Sequence, residues 1–120
     1  MGEGAVAGRA DLAAPPVDPE VERFLNEWLA PIREAFAPEA LFLFGSRVSG
    51  SAHDWSDIDI VLVSRRFAGQ RTLDRLRTFR ELIDPRCHVD VLCLTPEEFE
   101  RRRNGPNIVA EAVRTGVRII

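Results

Sequence analysis

Residues 44–63 read FGSRVSGSAHDWSDIDIVLV, and the alternation in their second half decides the fold. Asp57-Ile58-Asp59-Ile60-Val61-Leu62-Val63-Ser64 is rich in β-branched residues and predicts a strand over 57–64. Side chains two apart in a strand share a face. Asp57 and Asp59 therefore stand together, with Ile58, Ile60 and Leu62 turned the other way. Upstream, Ala40 to Phe44 (ALFLF) is a short apolar run that stops at Gly45-Ser46 and reads as a buried strand. Ser46 to Trp55 is small and polar and suits a helical turn followed by a loop. Downstream, Cys87 to Leu94 (CHVDVLCL) predicts a third strand, with Asp90 inside it.

Helices are expected between and around these strands. Asp18-Pro19-Glu20 looks like a helix start: an N-cap acid, Pro at the first helical position and Glu near the positive end. Val21, Phe24, Leu25, Trp28, Leu29 and Ile32 follow at helical spacing, and Phe36 extends the stripe. Pro31 is expected to kink or split that helix near Ala30. Leu73, Leu76, Phe79 and Ile83 mark a helix over about 70–83. Thr95-Pro96-Glu97-Glu98 is a third start with capping-box spacing. That helix ends before Asn104-Gly105-Pro106, and a last one runs from Asn107 to Thr115, closed by Gly116. Val117 to Ile120 can add an edge strand. Strands alternating with helices imply an α/β fold: a small mixed sheet with helices packed on it.

The whole chain fits this plan. At 120 residues it is the length of one domain, expected over 18–120 with a loose tail at 1–17. With 45% hydrophobic and 29% charged residues it has a globular composition. The tail does not read as a signal peptide, because acids and an Arg break it, and no segment has the length and apolarity expected of a membrane span. Cys87 and Cys93 are too few for a disulfide scaffold and read as buried thiols of a reduced, cytoplasmic protein. All 16 basic residues are Arg, the 19 acids give a net charge of −3, and Tyr is absent. Such mild acidity argues against a general nucleic-acid coat. The charge is uneven: residues 1–60 carry −7 and residues 61–120 carry +4.

Asp57, Asp59 and Asp90 carry the chemistry. Carboxylates inside apolar strands are costly unless paired or bound to metal. A cap for Asp57 or an Arg for Asp90 would explain either alone, but three acids on two neighbouring strands indicate a metal site. Oxygen donors suit Mg²⁺ or Mn²⁺ and not zinc. Two ions ~4 Å apart could share Asp57 and Asp59, as in-line phosphoryl or nucleotidyl displacement requires. Gly45 lets the backbone approach a phosphate closely, Ser46 adds a hydroxyl and Arg47 a positive charge.

Gly45-Ser46, ten intervening residues and then Asp57-Ile58-Asp59 resembles the Gly-Ser-x10-Asp-x-Asp signature of the DNA polymerase β-like nucleotidyltransferase superfamily. The longer 44–63 string is similar to its minimal nucleotidyltransferase (MNT) branch, and Asp90 to the third acid. The resemblance spans about 20–120. It implies a polymerase β palm-like fold in which Gly45 and Ser46 hold a nucleoside triphosphate and Asp57 and Asp59 bind metal. Asp90 completes the site as a ligand or by activating the acceptor, with Arg47 as a phosphate contact and Ser56 orienting the acid pair. It implies transfer of a nucleoside monophosphate, AMP from ATP, with Mg²⁺ and release of pyrophosphate. The resemblance takes up almost all of these residues, so the acceptor platform is expected in another chain or in a homo-oligomer. In the MNT family that partner is a small helical HEPN-type protein, the pair resembling a toxin–antitoxin module, and the transfer can target a tyrosine. Without Tyr, this chain cannot be its own tyrosine acceptor. The alternatives are a non-enzymatic antitoxin that masks its toxin by contact, and a transferase acting on a small molecule.

Other residues stay open on sequence alone. His88 shares a strand face with Asp90, but the motif is complete without it. Zinc binding by Cys87, His88 and Cys93 lacks a fourth ligand. His53 reads as solvated. Arg65, Arg66, Arg71, Arg75, Arg77 and Arg80 can bind nucleotide or an RNA backbone, or form a solvated face. Arg101-Arg102-Arg103 suits the negative end of a helix.

Overall fold

The computed structural model describes residues 18–52 and 56–120; the expected tail at 1–17 and His53 lie outside them. Among the described residues the chain runs α1 (Pro19–Phe36), β1 (Ala40–Phe44), α2 (Ser46–Ser49) and β2 (Ile58–Val63). A 3₁₀ turn at Arg65–Phe67 leads to α3 (Thr72–Leu82), β3 (Val89–Leu94), α4 (Pro96–Arg102), α5 (Ile108–Thr115) and β4 (Val117–Arg118). The sheet order is β3-β2-β1-β4. β1 is antiparallel to β2 and to β4, while β2 and β3 are parallel, so the sheet is mixed as expected. A parallel pair needs a long crossover, which α3 supplies.

Each face of the sheet carries its own core. On one side Leu41, Leu43, Ile60 and Leu62 pack under α1 (Phe24, Ile32, Phe36) and α3 (Phe79). On the other Phe42, Val61, Val63 and Leu94 pack under α4 (Phe99) and α5 (Val109, Ala112). Burying a Phe or Leu side chain fully is worth ~1.5–3 kcal/mol, so these two layers fix the strands firmly. No helix among the described residues is long and apolar enough to cross a membrane.

The caps behave as the sequence implies. The Asp18 carboxylate accepts from the Glu20 and Val21 N–H groups. Thr95 and Glu98 form a complete capping box on α4, and the Asn107 side chain accepts from Val109 and Ala110 at the start of α5.

Two expectations need correction. Pro31 does not split α1, which is one helix from Pro19 to Phe36. The buried stripe continues on both sides of it, from Phe24 to Ile32 and Phe36, so packing on the sheet carries the helix past the missing N–H. Leu73 does not face the core; it is 71% exposed, and the inward position on α3 belongs to Arg75 at 7%. Gly116 caps α5 as expected, its N–H donating to the Ala112 carbonyl at 2.9 Å with φ at −87°. Its second role is close approach: a Cβ there would run into the Ala112 and Leu43 carbonyls, where β4 turns back against β1.

Arg75 also corrects the picture of the Arg-rich stretch as a single basic surface. Its guanidinium donates to Glu98 at 2.6 and 3.2 Å, to the Cys93 carbonyl at 3.1 Å and to the Gln70 carbonyl at 3.0 Å. This bidentate pair pins the crossover helix to α4, and it holds the Glu98 carboxyl down at about 2. Arg65 pairs with Glu39, Arg66 donates to the Glu34 and Ala35 carbonyls at the end of α1, and Arg77 pairs with Asp74. Cys93 is a free thiol pushed up to about 12 by burial, with Arg75 pulling weakly the other way.

Candidate active site

The three acids lie towards one end of the sheet. Asp59 lies on β2 opposite Phe44 of β1 and level with Asp90 of β3. Alternation puts Asp59 on the face of Val61 and Val63, and Asp90 on the face of Leu92 and Leu94. Level residues on neighbouring strands are ~5 Å apart, so the two carboxylates are lateral neighbours. Asp57 precedes β2 by one residue and is exposed, as is Asp90, whereas Asp59 is half-buried.

That position raises the proton affinity of Asp59. Burial pushes its pKa up first, and the charges of Asp90 and Asp57 push it further. Like charges crowding a half-buried carboxylate make this end of the sheet a candidate functional site.

Gly45 fits the same place. Its φ of +85° and ψ of −163° belong to a region that only glycine enters readily. A Cβ there would overlap Asp59 Oδ2 and lie 3.1 Å from Asp59 Cγ. The absence of a side chain at Gly45 thus makes room for the Asp59 carboxylate. Ser46 opens α2 directly after, and its carbonyl accepts from Gly50 and Ser51 N–H, closing the turn.

Arg47 is engaged within the protein. Its Nε donates to the Ser56 carbonyl at 3.0 Å and a terminal nitrogen to both Asp18 oxygens at 3.1 and 3.2 Å. Burial works against the Asp18 carboxylate, but hydrogen bonds from Glu20 N–H and Arg47 outweigh it and keep its pKa below the usual range. One guanidinium thus joins the start of α1, the turn after Gly45 and the residue before Asp57. Asp18 is the contribution that sequence reasoning missed: it was legible as a cap, but nothing signals a pairing across 29 positions. His88 is exposed, and its carbonyl accepts the Ile58 N–H at 2.9 Å, which locks the start of β2 to β3.

The donor set suits a hard divalent cation. It is all carboxylate oxygen, and a cation would relieve the repulsion on Asp59. Among the described residues no three His, Cys, Asp or Glu side chains stand close enough to hold a metal by themselves. Asp57, Asp59 and Asp90, expected as one ligand set, are therefore not gathered into a three-carboxylate cluster.

A glycine turn built around a carboxylate, with a second acid level on the next strand, agrees with the comparisons. A family model for the nucleotidyltransferase domain matches residues 25–117. The chain belongs to the nucleotidyltransferase domain family. The fold is also similar to the crystal structure of a presumed nucleotidyltransferase from Sulfolobus solfataricus, with a TM-score of 0.55 and 25% identity over 82% of this chain and 99% of that one. No curated protein matches the chain significantly. Membership makes nucleotidyl transfer the general activity, with a nucleotide as substrate and the divalent metal that such domains use.

Proposed function

We propose that this nucleotidyltransferase moves AMP from ATP to a hydroxyl on a partner protein, as the antitoxin-like half of an MNT/HEPN pair. The observation that carries the transferase site is Asp59, half-buried beside Gly45 and level with Asp90. Gly45 and Ser46 receive the triphosphate. Asp57 and Asp59 hold Mg²⁺, and Asp90 completes the set. The acceptor oxygen attacks the α-phosphorus, the bond to the bridging oxygen of the β-phosphate breaks, and pyrophosphate leaves. Asp90 is exposed next to Asp59, where it can take the acceptor proton. The metal, when bound, stabilises the charge that develops on the phosphate oxygens. Arg47 serves by position: it fixes Ser56, and so the backbone that presents Asp57.

The chain contains no Tyr, so a tyrosine acceptor belongs to the partner. The test is incubation with Mg²⁺ and α-labelled ATP, with and without a HEPN-type protein encoded beside this chain. Label on the partner that disappears with Asp57→Ala/Asp59→Ala supports the proposal. Tight binding without label, unchanged in the double variant, supports masking by contact instead.

A further inference from the structure

Asp18 lies outside the Gly-Ser and acid motif, yet Arg47 ties it to both. Its two carboxylate oxygens do different work. Oδ1 accepts the Glu20 N–H at 2.8 Å and the Val21 N–H at 3.4 Å, which caps α1. Among the described residues Oδ2 is left to Arg47, whose terminal nitrogen stands 3.1 Å from it and 3.2 Å from Oδ1. A cap needs one oxygen, and Asn or Ser caps a helix about as well as Asp. Only a carboxylate adds the second oxygen and the charge. We infer that Asp18 is a positioning residue for the transfer: through Arg47 it holds the backbone that presents Asp57. This role rests on the transferase reading above.

The pair is placed to hold something still. The Arg47 side chain is 11% exposed and that of Asp18 17%. An ion pair in open water fixes little, whereas one shielded from water is costly to break from one side. The guanidinium is flat and rigid, so seating a terminal nitrogen on Asp18 also aims Nε. Nε donates to the Ser56 carbonyl at 3.0 Å. That carbonyl shares a planar peptide with the Asp57 nitrogen, so holding it sets the plane from which Asp57 departs.

Asp57 depends on this anchor because it lies outside the ladder. The pairing of β2 with β3 begins at Ile58, opposite Val89. The Ile58 N–H donates to the His88 carbonyl at 2.9 Å. Asp57 is therefore held from both sides, by β3 through the amide after it and by Arg47 through the carbonyl before it. Without the Asp18 carboxylate the guanidinium loses one of its anchors, and its hold on Ser56 loosens.

Asp18→Asn and Asp18→Ser in the full chain test this, since both keep a capping oxygen and remove the charge. Amide hydrogen exchange of the metal-free protein, followed by NMR, gives the first readout. The Ile58 amide is expected to exchange about tenfold faster in both variants, with the Val61 amide at the strand centre unchanged. Transfer from α-labelled ATP with Mg²⁺ to a candidate acceptor protein of the HEPN type gives the second. There kcat is expected to fall about tenfold, with nucleotide KM within about twofold. Added to Arg47→Gln, Asp18→Asn is expected to cause no further loss, because both break the same link. A fall in Tm with Ile58 exchange and kcat unchanged would make Asp18 a helix cap alone and overturns the inference. Losses that multiply in the double variant also overturn it, because Asp18 would then act independently of Arg47. No transfer by the unaltered chain, with Ile58 exchange accelerated as expected, overturns the transferase reading and leaves Asp18 an anchor of the strand only.

Discussion

Gly45→Ala should damage stability and activity together, and the two parts of the damage can be separated. The first part is backbone strain. With φ +85° and ψ −163°, Gly45 sits where a Cβ costs ~1–3 kcal/mol. The second part is collision with Asp59. The new methyl would overlap Oδ2 and stand 3.1 Å from Cγ and 3.3 Å from Cβ, so turning the carboxylate does not clear it. Together they should cost about 2–4 kcal/mol, a Tm drop of roughly 10–25 °C for a domain of this size. Asp59→Ala in the same chain removes Cγ and both oxygens and leaves the strain and the single 3.3 Å contact with Cβ. A double-mutant cycle by urea unfolding should therefore show about 1–2 kcal/mol recovered in the double variant relative to additivity. Label transfer should fall at least ~100-fold in Gly45→Ala alone, because Asp59 can no longer occupy its place. Strict additivity, or a Gly45→Ala cost below ~0.5 kcal/mol, would refute the close packing of Gly45 on Asp59.

Arg75→Leu should cost about 2–4 kcal/mol in chemical denaturation, since it leaves Glu98 and the Cys93 carbonyl without their partner. The pair also gives a pH signature. Glu98 is held at about 2 against an ordinary 4.5, so its contribution is complete above pH 4.5 and is lost as pH falls towards 2. Arg75→Leu should flatten the stability curve across that window, and an unchanged slope would contradict the pairing. Arg47→Gln should lower kcat about tenfold with little change in nucleotide KM, because a displaced Asp57 weakens the chemical step and not the capture of substrate. A raised KM with kcat intact would instead mark Arg47 as a phosphate contact. Asp59→Asn should raise Tm in metal-free buffer at neutral pH, because burial and the charges of Asp90 and Asp57 disfavour its ionised form. A fall in Tm would mean that Asp59 stabilises the fold.

The strands and the acid centre were legible because their signals are local. Ala40–Phe44 is a continuous apolar run ended by glycine, and the Asp57/Asp59 alternation fixes a shared face by period alone. The neighbourly placement of Asp90 followed from a strand–helix–strand order, which favours parallel pairing. What escaped was non-local. The Arg47–Asp18 bridge joins residues that share no pattern, and the Gly45–Asp59 contact depends on how β1 and β2 register. Phe79 and Ile83 of the expected stripe are buried, but the stripe fails at its first turn, where Arg75 and not Leu73 turns inward, and a guanidinium buried by one partner on α4 leaves no mark in composition. Pro31 misled in the opposite sense: a strong local rule was overridden by packing on both sides of it.

The central claim is that the Gly45–Asp59–Asp90 centre transfers the α-phosphate of a nucleoside triphosphate. Parallel reactions with α-labelled and γ-labelled ATP, Mg²⁺ and a candidate acceptor protein of the HEPN type test it most directly. The α-label should appear on the acceptor, the γ-label only in free pyrophosphate, and the acceptor label should vanish in Asp57→Ala/Asp59→Ala. Transfer of the γ-label, or α-transfer that survives the double variant, would contradict it.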